Sequence, residues 1–273
     1  MNLNTSYTEK DSSWQSLLTH ILEAKNATLN LEGDKCLISI IIPAYNLSNK
    51  IKHTVKNVKH VLNSLRISYE IVIVDDGSSD NTYQKALEIT DNNIKVLRYE
   101  NNQGKGYALL HGLKYSTGNL IMFFDGDLDI PAEQIPLLIK AFKNKNVDAA
   151  VTVKWHPHSK VKAHFIRKFL SKVFNVLVRF LTGIELSDTQ TGAKIFKKKV
   201  LDDVLPLLTV KRYAFDVELL TAITTRGYKI VEVPAAQPIK LTSKFELHEI
   251  IKMLIDLLAI TYRHRVKRQY AEN

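Results

Sequence analysis

Two acidic residues follow a run of apolar residues near the middle of the chain. Asp125 and Asp127 come directly after Leu120–Phe124 (LIMFF), and only Gly126 separates them. Two carboxylates on such a strand-ending turn can converge on one hard cation, and Mg²⁺ or Mn²⁺ prefers oxygen ligands of this kind. Asp129 can add a third oxygen. An isolated Asp-Gly-Asp is more often a loop or helix cap, so the prediction of a metal site depends on the preceding apolar run.

A second acidic pair, Asp75 and Asp76, ends the largely apolar run 69–74 (YEIVIV). Carboxylates at this position can accept hydrogen bonds from a nucleobase N–H or a ribose hydroxyl. The following Gly77 and Ser78 are equally typical of a turn with a serine cap on the next helix. The two interpretations are compatible.

The segment 102–106 (NQGKG) has the glycine content of a phosphate-binding loop. It lacks both the spacing of a Walker loop and the six-residue glycine fingerprint of a dinucleotide site. We interpret it as a place where the backbone approaches a ligand at the start of a helix.

Apolar runs and segments of helical periodicity alternate along residues 37–153. The predicted strands are 37–43, 69–74, 94–99, 120–124 and 148–153, and the predicted helices are 49–66, 81–90, 105–116 and 132–144. This alternation predicts an α/β fold with an open, mostly parallel sheet and helices on both faces. Ligands bind beyond the carboxyl ends of the strands in such sheets, which is where both acidic pairs lie.

Charge and cysteine content restrict the class of protein. The chain has 273 residues and a formal net charge of +10, which indicates an anionic partner. The single cysteine, Cys36, excludes an intrachain disulfide and a thiolate zinc cluster, and it favours a reducing, cytosolic compartment. The N-terminus has no apolar segment of a secretory signal. No apolar stretch is long enough to predict a transmembrane span.

Six motifs occur in the order and spacing of a known family. ISIIIPAYN, IVIVDDGSSDNT, NQGKGYAL and FFDGDLDIP resemble family 2 glycosyltransferases with the GT-A fold. DTQTGAKIF (188–196) and RYAFDVELL (212–220) are similar to the dolichyl-phosphate glucose and mannose synthases, and the glucose-transferring members match best. The resemblance covers roughly residues 37–245.

The resemblance implies roles for particular residues. Those implied to bind the nucleotide sugar are Pro43, Ala44, Tyr45, Asn46, Asp75, Asp76, Lys105, Asp125, Lys154, Ser243 and Lys244. The implied metal ligands are Asp125, Asp127 and Asp129, and the implied catalytic residues are Asp127, Asp188, Gln190 and Arg212. Asp216 and Glu218 look like supports of that site. Lys154 stands where members of the family often have an arginine. Its ammonium group carries the same charge but lacks the planar guanidinium geometry that binds phosphate with two parallel hydrogen bonds.

Two segments have amphipathic helical periodicity. Residues 162–181 combine an apolar face with several basic residues, and 247–262 lead into a basic tail that ends at Arg268. Such helices often pack on the core of their own protein. A basic helix with a large apolar face also suits an anionic membrane surface, and a lipid-phosphate acceptor favours this second interpretation. Arg167, Lys168 and Lys172 could then reach the lipid phosphate.

These observations predict an inverting glycosyltransferase that moves glucose from UDP-glucose to dolichyl or polyprenyl phosphate, with Mg²⁺ or Mn²⁺, on the cytoplasmic face of a membrane. GDP-mannose or UDP-N-acetylglucosamine as donor, and a saccharide or protein as acceptor, remain alternatives. A basic membrane- or nucleic-acid-binding module is the non-enzymatic alternative. Carboxylates at strand ends repel phosphate unless a metal bridges them, so no nucleic-acid partner is expected.

The predicted organisation has three parts: an N-terminal appendage (1–35), a catalytic domain (36–245, including an amphipathic helix within 160–183), and an amphipathic C-terminal helix with a basic tail (246–273).

Overall fold

A computed structural model describes residues 37–89, 91–142, 146–154, 159, 161–162, 165–235, 239–240 and 247–271. The predicted N-terminal appendage (1–35) lies outside these residues, as do Ser243 and Lys244.

A seven-stranded sheet forms the centre of the molecule. Its strands are β1 (Leu37–Ala44), β2 (Ser68–Asp76), β3 (Ile94–Tyr99), β4 (Leu120–Phe124), β5 (Ala149–Val153), β7 (Ala193–Lys197) and β8 (Ile230–Pro234). They lie in the order β3-β2-β1-β4-β7-β5-β8. A separate two-stranded sheet pairs β6 (Val161–Lys162) with β9 (Ile239–Lys240).

Helices cover both faces of the large sheet. They are α1 (Ile51–Leu65), α2 (Thr82–Leu87), α3 (Lys105–Lys114), α4 (Ile135–Ala141), α5 (Phe165–Thr182), α6 (Lys198–Val204), α7 (Phe215–Thr225) and α8 (Leu247–Arg265), with short 3₁₀ turns at Ala132–Gln134 and Leu205–Leu207. α1 is amphipathic: Ile51, Val55, Val58 and Leu62 recur at helical spacing and are fully buried.

The strands alternate their side chains between two separate cores. Ile40, Ile42 and Ile73 pack with α1 and α4 on one face, in what we call the first core. Ile41 and Val74 pack with α3 and α7 on the other face, in the second core. Strands buried on both faces read as continuous apolar runs, which is why they could be predicted from the sequence. Three residues from the C-terminal part of the chain belong to the second core: Leu257, Ile260 and Tyr270.

One strand of the sheet runs against the others. β7, which was not predicted, pairs antiparallel with both β4 and β5, whereas β1, β2, β3 and β4 are mutually parallel. The prediction of an α/β fold with a mostly parallel sheet and helices on both faces is confirmed.

Because β7 runs antiparallel to β4, it brings residues 188–192 to the edge of the sheet that carries both acidic pairs. We call this the acidic edge. β7 starts where its parallel neighbour β4 ends, since Ala193 pairs with Phe124. Residues 188–192, which precede β7, therefore lie beside Asp125 at the carboxyl end of β4. β5 ends at the same edge with Val153, followed by Lys154.

Candidate active site

The loops that follow β1 and β2 are tied together by side chains. The Ser79 amide donates a hydrogen bond to Asn46 Oδ1 at 2.9 Å, and the Asn46 amide donates to Ser78 Oγ at 2.9 Å. Asn46 adopts a positive φ of 52°, a conformation that asparagine tolerates better than most residues. Tyr45 is exposed beside this junction, next to the partly buried Pro43 and the buried Ala44. The four residues 43–46 thus form one wall of the site.

Asp75 is fully buried, yet neither of its carboxylate oxygens has a hydrogen-bond partner within the described part of the chain. Arg98 Nε lies 3.4 Å from Oδ2. Burial raises the pKa of Asp75, and the nearby Ser78 and Arg98 offset only part of this effect. Buried polar atoms are almost always paired in folded proteins, so these oxygens suit an N–H or O–H donor of a ligand.

Asp76 has a different role from Asp75. Its oxygens accept hydrogen bonds from the Tyr99 hydroxyl at 2.8 Å, the Gln103 amide at 2.7 Å and the Gly104 amide at 3.0 Å. Asn102 Nδ2 donates a further bond at 3.0 Å. Asp76 therefore anchors the 102–106 loop, whereas the Asp75 oxygens accept no hydrogen bond within the described part of the chain.

The Asp125–Asp127 turn is held tightly against β1 and α1. Thr54 Oγ1 donates a hydrogen bond to the Gly126 carbonyl at 2.7 Å. A Cβ at Gly126 would lie 2.8 Å from Leu47 Cδ1 and 3.1 Å from the Pro43 carbonyl, so the turn packs closely against these two residues. Thr54 has no polar neighbour in sequence that marks it as part of the site, and the sequence analysis did not find it.

The two aspartates of this turn differ in their charge environment. Burial opposes ionisation of Asp125, but the charges of Lys105, Lys194 and Lys154 hold its pKa below the usual range. Lys105 Nζ lies 2.7 Å from Asp125 Oδ1. Burial, followed by the charges of Asp125 and Asp129, raises the pKa of Asp127 to about 6.

These carboxylates fit a divalent cation. The repulsion between these neighbouring, partly buried carboxylates would be relieved by a cation, and the donor atoms are the oxygens that Mg²⁺ and Mn²⁺ prefer. Among the described residues no three His, Cys, Asp or Glu side chains are grouped in a ready-made metal site. The predicted trio is thus not preassembled: Asp125 faces Lys105, and Asp129 donates its amide to Asp127 Oδ1 at 3.0 Å. Mg²⁺ commonly uses one or two carboxylates and completes its shell with phosphate and water.

Asp188 is fully buried beside the acidic turn and is held by its surroundings. Its carboxylate accepts hydrogen bonds from the Gln190 amide at 3.1 Å and the Lys154 amide at 3.2 Å, and Lys154 Nζ lies 3.6 Å away. Asn175 Nδ2, on the buried side of α5, lies 3.5 Å from Oδ1. Asn175 therefore faces inward, toward a charged partner.

The segment 211–215 forms the opposite wall. Gln190 Nε2 donates a hydrogen bond to the Tyr213 carbonyl at 3.0 Å, and the Tyr107 amide donates to the Lys211 carbonyl at 3.0 Å. Arg212 is exposed, with its Cγ 3.0 Å from the position that a Cβ of Gly104 would occupy. The two predicted motifs therefore meet, with Arg212 at the surface of the site.

Two charged residues make contacts that the sequence analysis did not find. Lys194 in β7 is almost completely buried and pairs with Asp216 at 3.0 Å. Glu218 accepts hydrogen bonds from Arg263 Nη2 at 2.8 Å and the Tyr270 hydroxyl at 2.6 Å. Glu218 thereby attaches α8 to α7. A lysine at the second position of a short strand (AKIFK) was the only signal for Lys194.

α5 and α8 pack against each other and expose apolar side chains. Arg265 Nη2 donates a hydrogen bond to the Phe180 carbonyl at 2.8 Å and joins the two helices. The exposed apolar residues are Phe169, Leu170, Val173, Val176, Leu177 and Phe180 on α5, with Ile251, Leu254, Ile255, Leu258 and Tyr262 on α8. We call this set the apolar surface. Lys168 and Lys172 are exposed on α5, and the Arg167 side chain lies outside the described part.

None of the described helices has the length and hydrophobicity needed to cross a membrane.

Comparisons with known proteins agree with the geometry. The family model described as glycosyl transferase family 2 matches residues 39–205. Two dolichyl-phosphate beta-glucosyltransferases of Trichomonas vaginalis, ALG5D and ALG5C, are 30% and 31% identical to the chain. The alignments cover 90% and 83% of this chain and 81% and 71% of those relatives.

Solved structures also resemble this fold. Glucosyl-3-phosphoglycerate synthase from Mycobacterium tuberculosis, crystallised with Mn²⁺, UDP-glucose and phosphoglyceric acid, has a TM-score of 0.68 at 17% identity. The match covers 93% of this chain and 85% of that chain. The same enzyme has also been crystallised with Mg²⁺ and UDP, again with a TM-score of 0.68 at 17% identity and covering 93% of this chain and 84% of that chain. At this identity the likeness concerns the fold alone.

The mixed, mostly parallel sheet, with Asp125 and Asp127 at its edge, is the GT-A type of fold that these glycosyltransferase structures share. The chain belongs to glycosyl transferase family 2, because the family model matches more than half of it.

Proposed function

We propose that this glycosyltransferase moves a glucosyl residue from UDP-glucose to dolichyl or another polyprenyl phosphate, with inversion, while bound to the cytoplasmic face of a membrane. The observation that carries the proposal is the arrangement of α5. Its buried side holds Asn175 against Asp188, and its opposite side carries the exposed apolar residues. One helix thus connects the acidic site with a surface that suits lipid.

The donor side of the site suits a nucleoside diphosphate sugar. Asp75 offers unpaired acceptor oxygens for a base N–H or a ribose hydroxyl. Asp125 and Asp127, with Asp129 beside them, would hold a divalent cation, and such a cation neutralises charge that develops on a leaving diphosphate. Lys105 and Lys154 add positive charge on either side of Asp125. The solved relatives with Mn²⁺ or Mg²⁺ and a uridine nucleotide support this assignment.

The proposed acceptor needs little activation. A phosphate monoester carries about −1.5 to −2 charge at neutral pH. Its oxygen attacks the anomeric carbon while the bond from that carbon to the diphosphate oxygen breaks, and the electron pair leaves with UDP. No proton has to be removed from the doubly ionised acceptor. Asp188 then serves to orient Gln190 and Lys154, which its hydrogen bonds support.

The proposed contact between the apolar surface and lipid is supported by the exposure of its side chains and by the charges beside them. Phe180 is 77% exposed and Ile255 is 61% exposed, which is unusual for side chains of this size. Lys168 and Lys172 are exposed on α5, and Arg265 and Lys267 are exposed at the end of α8. An apolar face next to basic residues suits the interface of an anionic leaflet. The names of the Trichomonas relatives support a dolichyl phosphate acceptor.

A transfer assay tests the reaction. Purified protein is incubated with Mn²⁺, a short polyprenyl phosphate and one of three labelled donors: UDP-glucose, GDP-mannose or UDP-N-acetylglucosamine. The measured quantity is label that enters the organic phase. We expect metal-dependent transfer from UDP-glucose, lost in Asp127→Ala. Asp202→Ala, which removes an exposed aspartate from α6, is the matched control and should keep full activity.

Other outcomes would correct particular parts of the proposal. Transfer from GDP-mannose alone would change the donor and leave the acceptor class unchanged. Transfer to a soluble saccharide, with none to lipid phosphate, would refute the acceptor.

A further inference from the structure

The Lys105 ammonium group lies between two carboxylates that come from different parts of the chain. Its Nζ is 2.7 Å from Asp125 Oδ1 and 3.6 Å from Asp216 Oδ2. The lysine side chain is largely buried, so solvent screens these interactions little. A small movement of the ammonium group would exchange one carboxylate for the other.

The backbone around Lys105 is fixed by close packing. A Cβ at Gly106 would lie 2.6 Å from Phe215 Cβ, and a Cβ at Gly104 would lie 2.9 Å from the Lys211 carbonyl. These contacts press the first turn of α3 onto the first turn of α7. Movement of Lys105 is therefore restricted to its flexible side chain.

Lys194 holds Asp216 in place from the other side. Its Nζ lies 3.0 Å from Asp216 Oδ1 and donates to the Thr191 carbonyl at 2.5 Å. A buried ion pair is costly to desolvate, and apolar residues of similar size are often at least as stabilising. The Lys194–Asp216 pair is therefore better explained by the position in which it holds Asp216 than by a contribution to the free energy of folding. Asp216 keeps its second oxygen directed at Lys105.

We propose that Lys105 is a built-in counter-ion that competes with a divalent cation for Asp125, and that Asp216, held by Lys194, receives the ammonium group when the cation binds. This inference rests on the metal site of the proposed function. An ammonium group and a divalent cation repel each other, and Lys105 already uses Asp125 Oδ1, so the two compete for this carboxylate. The arrangement keeps Asp125 neutralised before the cation arrives and leaves Lys105 close to the diphosphate afterwards.

Mn²⁺ binding without nucleotide or lipid tests the proposal. Free Mn²⁺ is measured by electron paramagnetic resonance during titration of the purified full chain. Lys105→Met should bind Mn²⁺ at least about tenfold more tightly, because the competing cation is gone. Asp216→Asn should bind it more weakly, because Lys105 then stays on Asp125. In the Lys105→Met background, Asp216→Asn should change the Mn²⁺ affinity by less than about twofold, because no ammonium group is left for Asp216 to receive. If the two residues acted only through their independent charges, Asp216→Asn would weaken Mn²⁺ binding equally in both backgrounds.

Lys154→Met is the matched control. The Lys154 charge also acts on Asp125, but Lys154 itself pairs with Asp188. The variant Lys154→Met should therefore tighten Mn²⁺ binding much less than Lys105→Met does. Equal tightening would show a general charge effect and overturn the proposal, and this comparison needs no double variant. Thermal melting checks the fold of each protein.

Two further outcomes separate this inference from the proposed function. Mn²⁺ binding by the original protein with no change in Lys105→Met would overturn the competition and leave the metal site standing. No Mn²⁺ binding by any variant would overturn both.

Discussion

The backbone of Gly192 lies directly against the side chain of Asp125. A Cβ at Gly192 would be 2.6 Å from Asp125 Oδ2 and 2.9 Å from its Cβ, and the Gly192 carbonyl accepts the Asp125 amide at 2.7 Å. The glycine in DTQTG is therefore explained by close approach to the carboxylate that is proposed to bind metal.

We predict that Gly192→Ala lowers sugar transfer at least about tenfold, because the new methyl group displaces the Asp125 side chain, at a stability cost of about 1–3 kcal/mol. Initial rates and denaturant unfolding measure the two effects. Gly183→Ala is the control: it has open space around it but a φ of +76°, so it should lose stability without losing activity. An active Gly192→Ala variant would refute the tight contact.

Asp188 provides the second prediction at this scale. The variant Asp188→Asn keeps one acceptor oxygen, so it can hold either the Gln190 amide, which bonds to Oδ1, or the Lys154 amide, which bonds to Oδ2, but not both. Because only part of the orienting role is lost, it should retain turnover within about 100-fold of the original, below the usual loss for a missing general base. Single-turnover transfer measures this directly. A folded variant that binds nucleotide but shows no turnover would establish Asp188 as an essential base.

At the scale of elements, Glu70 joins three neighbouring segments. Its buried carboxylate accepts hydrogen bonds from Ser39 Oγ on β1 at 2.6 Å, Lys95 Nζ on β3 at 2.8 Å and Thr117 Oγ1 before β4 at 3.0 Å. Burial alone would raise the pKa of Glu70, but these partners together lower it below the usual value.

This lowered pKa makes the strand junction sensitive to acid. A carboxylate with a depressed folded-state pKa contributes its full stability above the unfolded value of about 4.3 and loses it as the pH falls through the folded value. We expect Glu70→Gln to be less stable by about 1–3 kcal/mol at pH 7, and the difference from the original protein to shrink below about pH 4. Urea unfolding between pH 3 and pH 7 measures it, with the exposed Glu88→Gln as control. A constant difference at all pH values would contradict the assignment.

At the scale of the whole molecule, α8 packs on the same core as the central sheet. Arg263 and Tyr270 both bond to the buried Glu218 of α7, and Gln269 Nε2 donates to the Leu207 carbonyl at 2.6 Å. The inner side of α8 is thereby fixed to the second core, and its outer side joins α5 in the apolar surface.

We predict that the double variant Val176→Glu/Phe180→Glu sediments less with anionic vesicles, at least about fivefold, because burying a charged group in lipid is unfavourable. Its thermal stability should be nearly unchanged, since both side chains are exposed. Lys56→Glu on α1 changes the net charge by the same amount on the opposite side of the sheet and should sediment as the original does. Equal loss in both variants would indicate a charge effect without insertion.

Much of the fold could be predicted from local patterns. The strands that contain Ile40, Ile73 and Met122 are apolar on both faces, so their sequences identify them without knowledge of their neighbours. Their alternation with helices predicted the sheet and the edge at which Asp75 and Asp125 meet. The motifs around these residues also predicted the family.

Other features depended on contacts between residues far apart in the chain. β7 was not predicted, because a five-residue strand with lysines at its second and last positions has no apolar signature of its own. Nothing local distinguishes Asp75 from Asp76, and only the distant loop at Asn102 shows which of them is already paired. The sequence by itself determined the fold class, the family and the acidic edge, since these follow from periodicity and motif order. Tertiary structure alone decided which charges meet, such as Lys105 with both Asp125 and Asp216, because pairing in a buried site depends on three-dimensional distance.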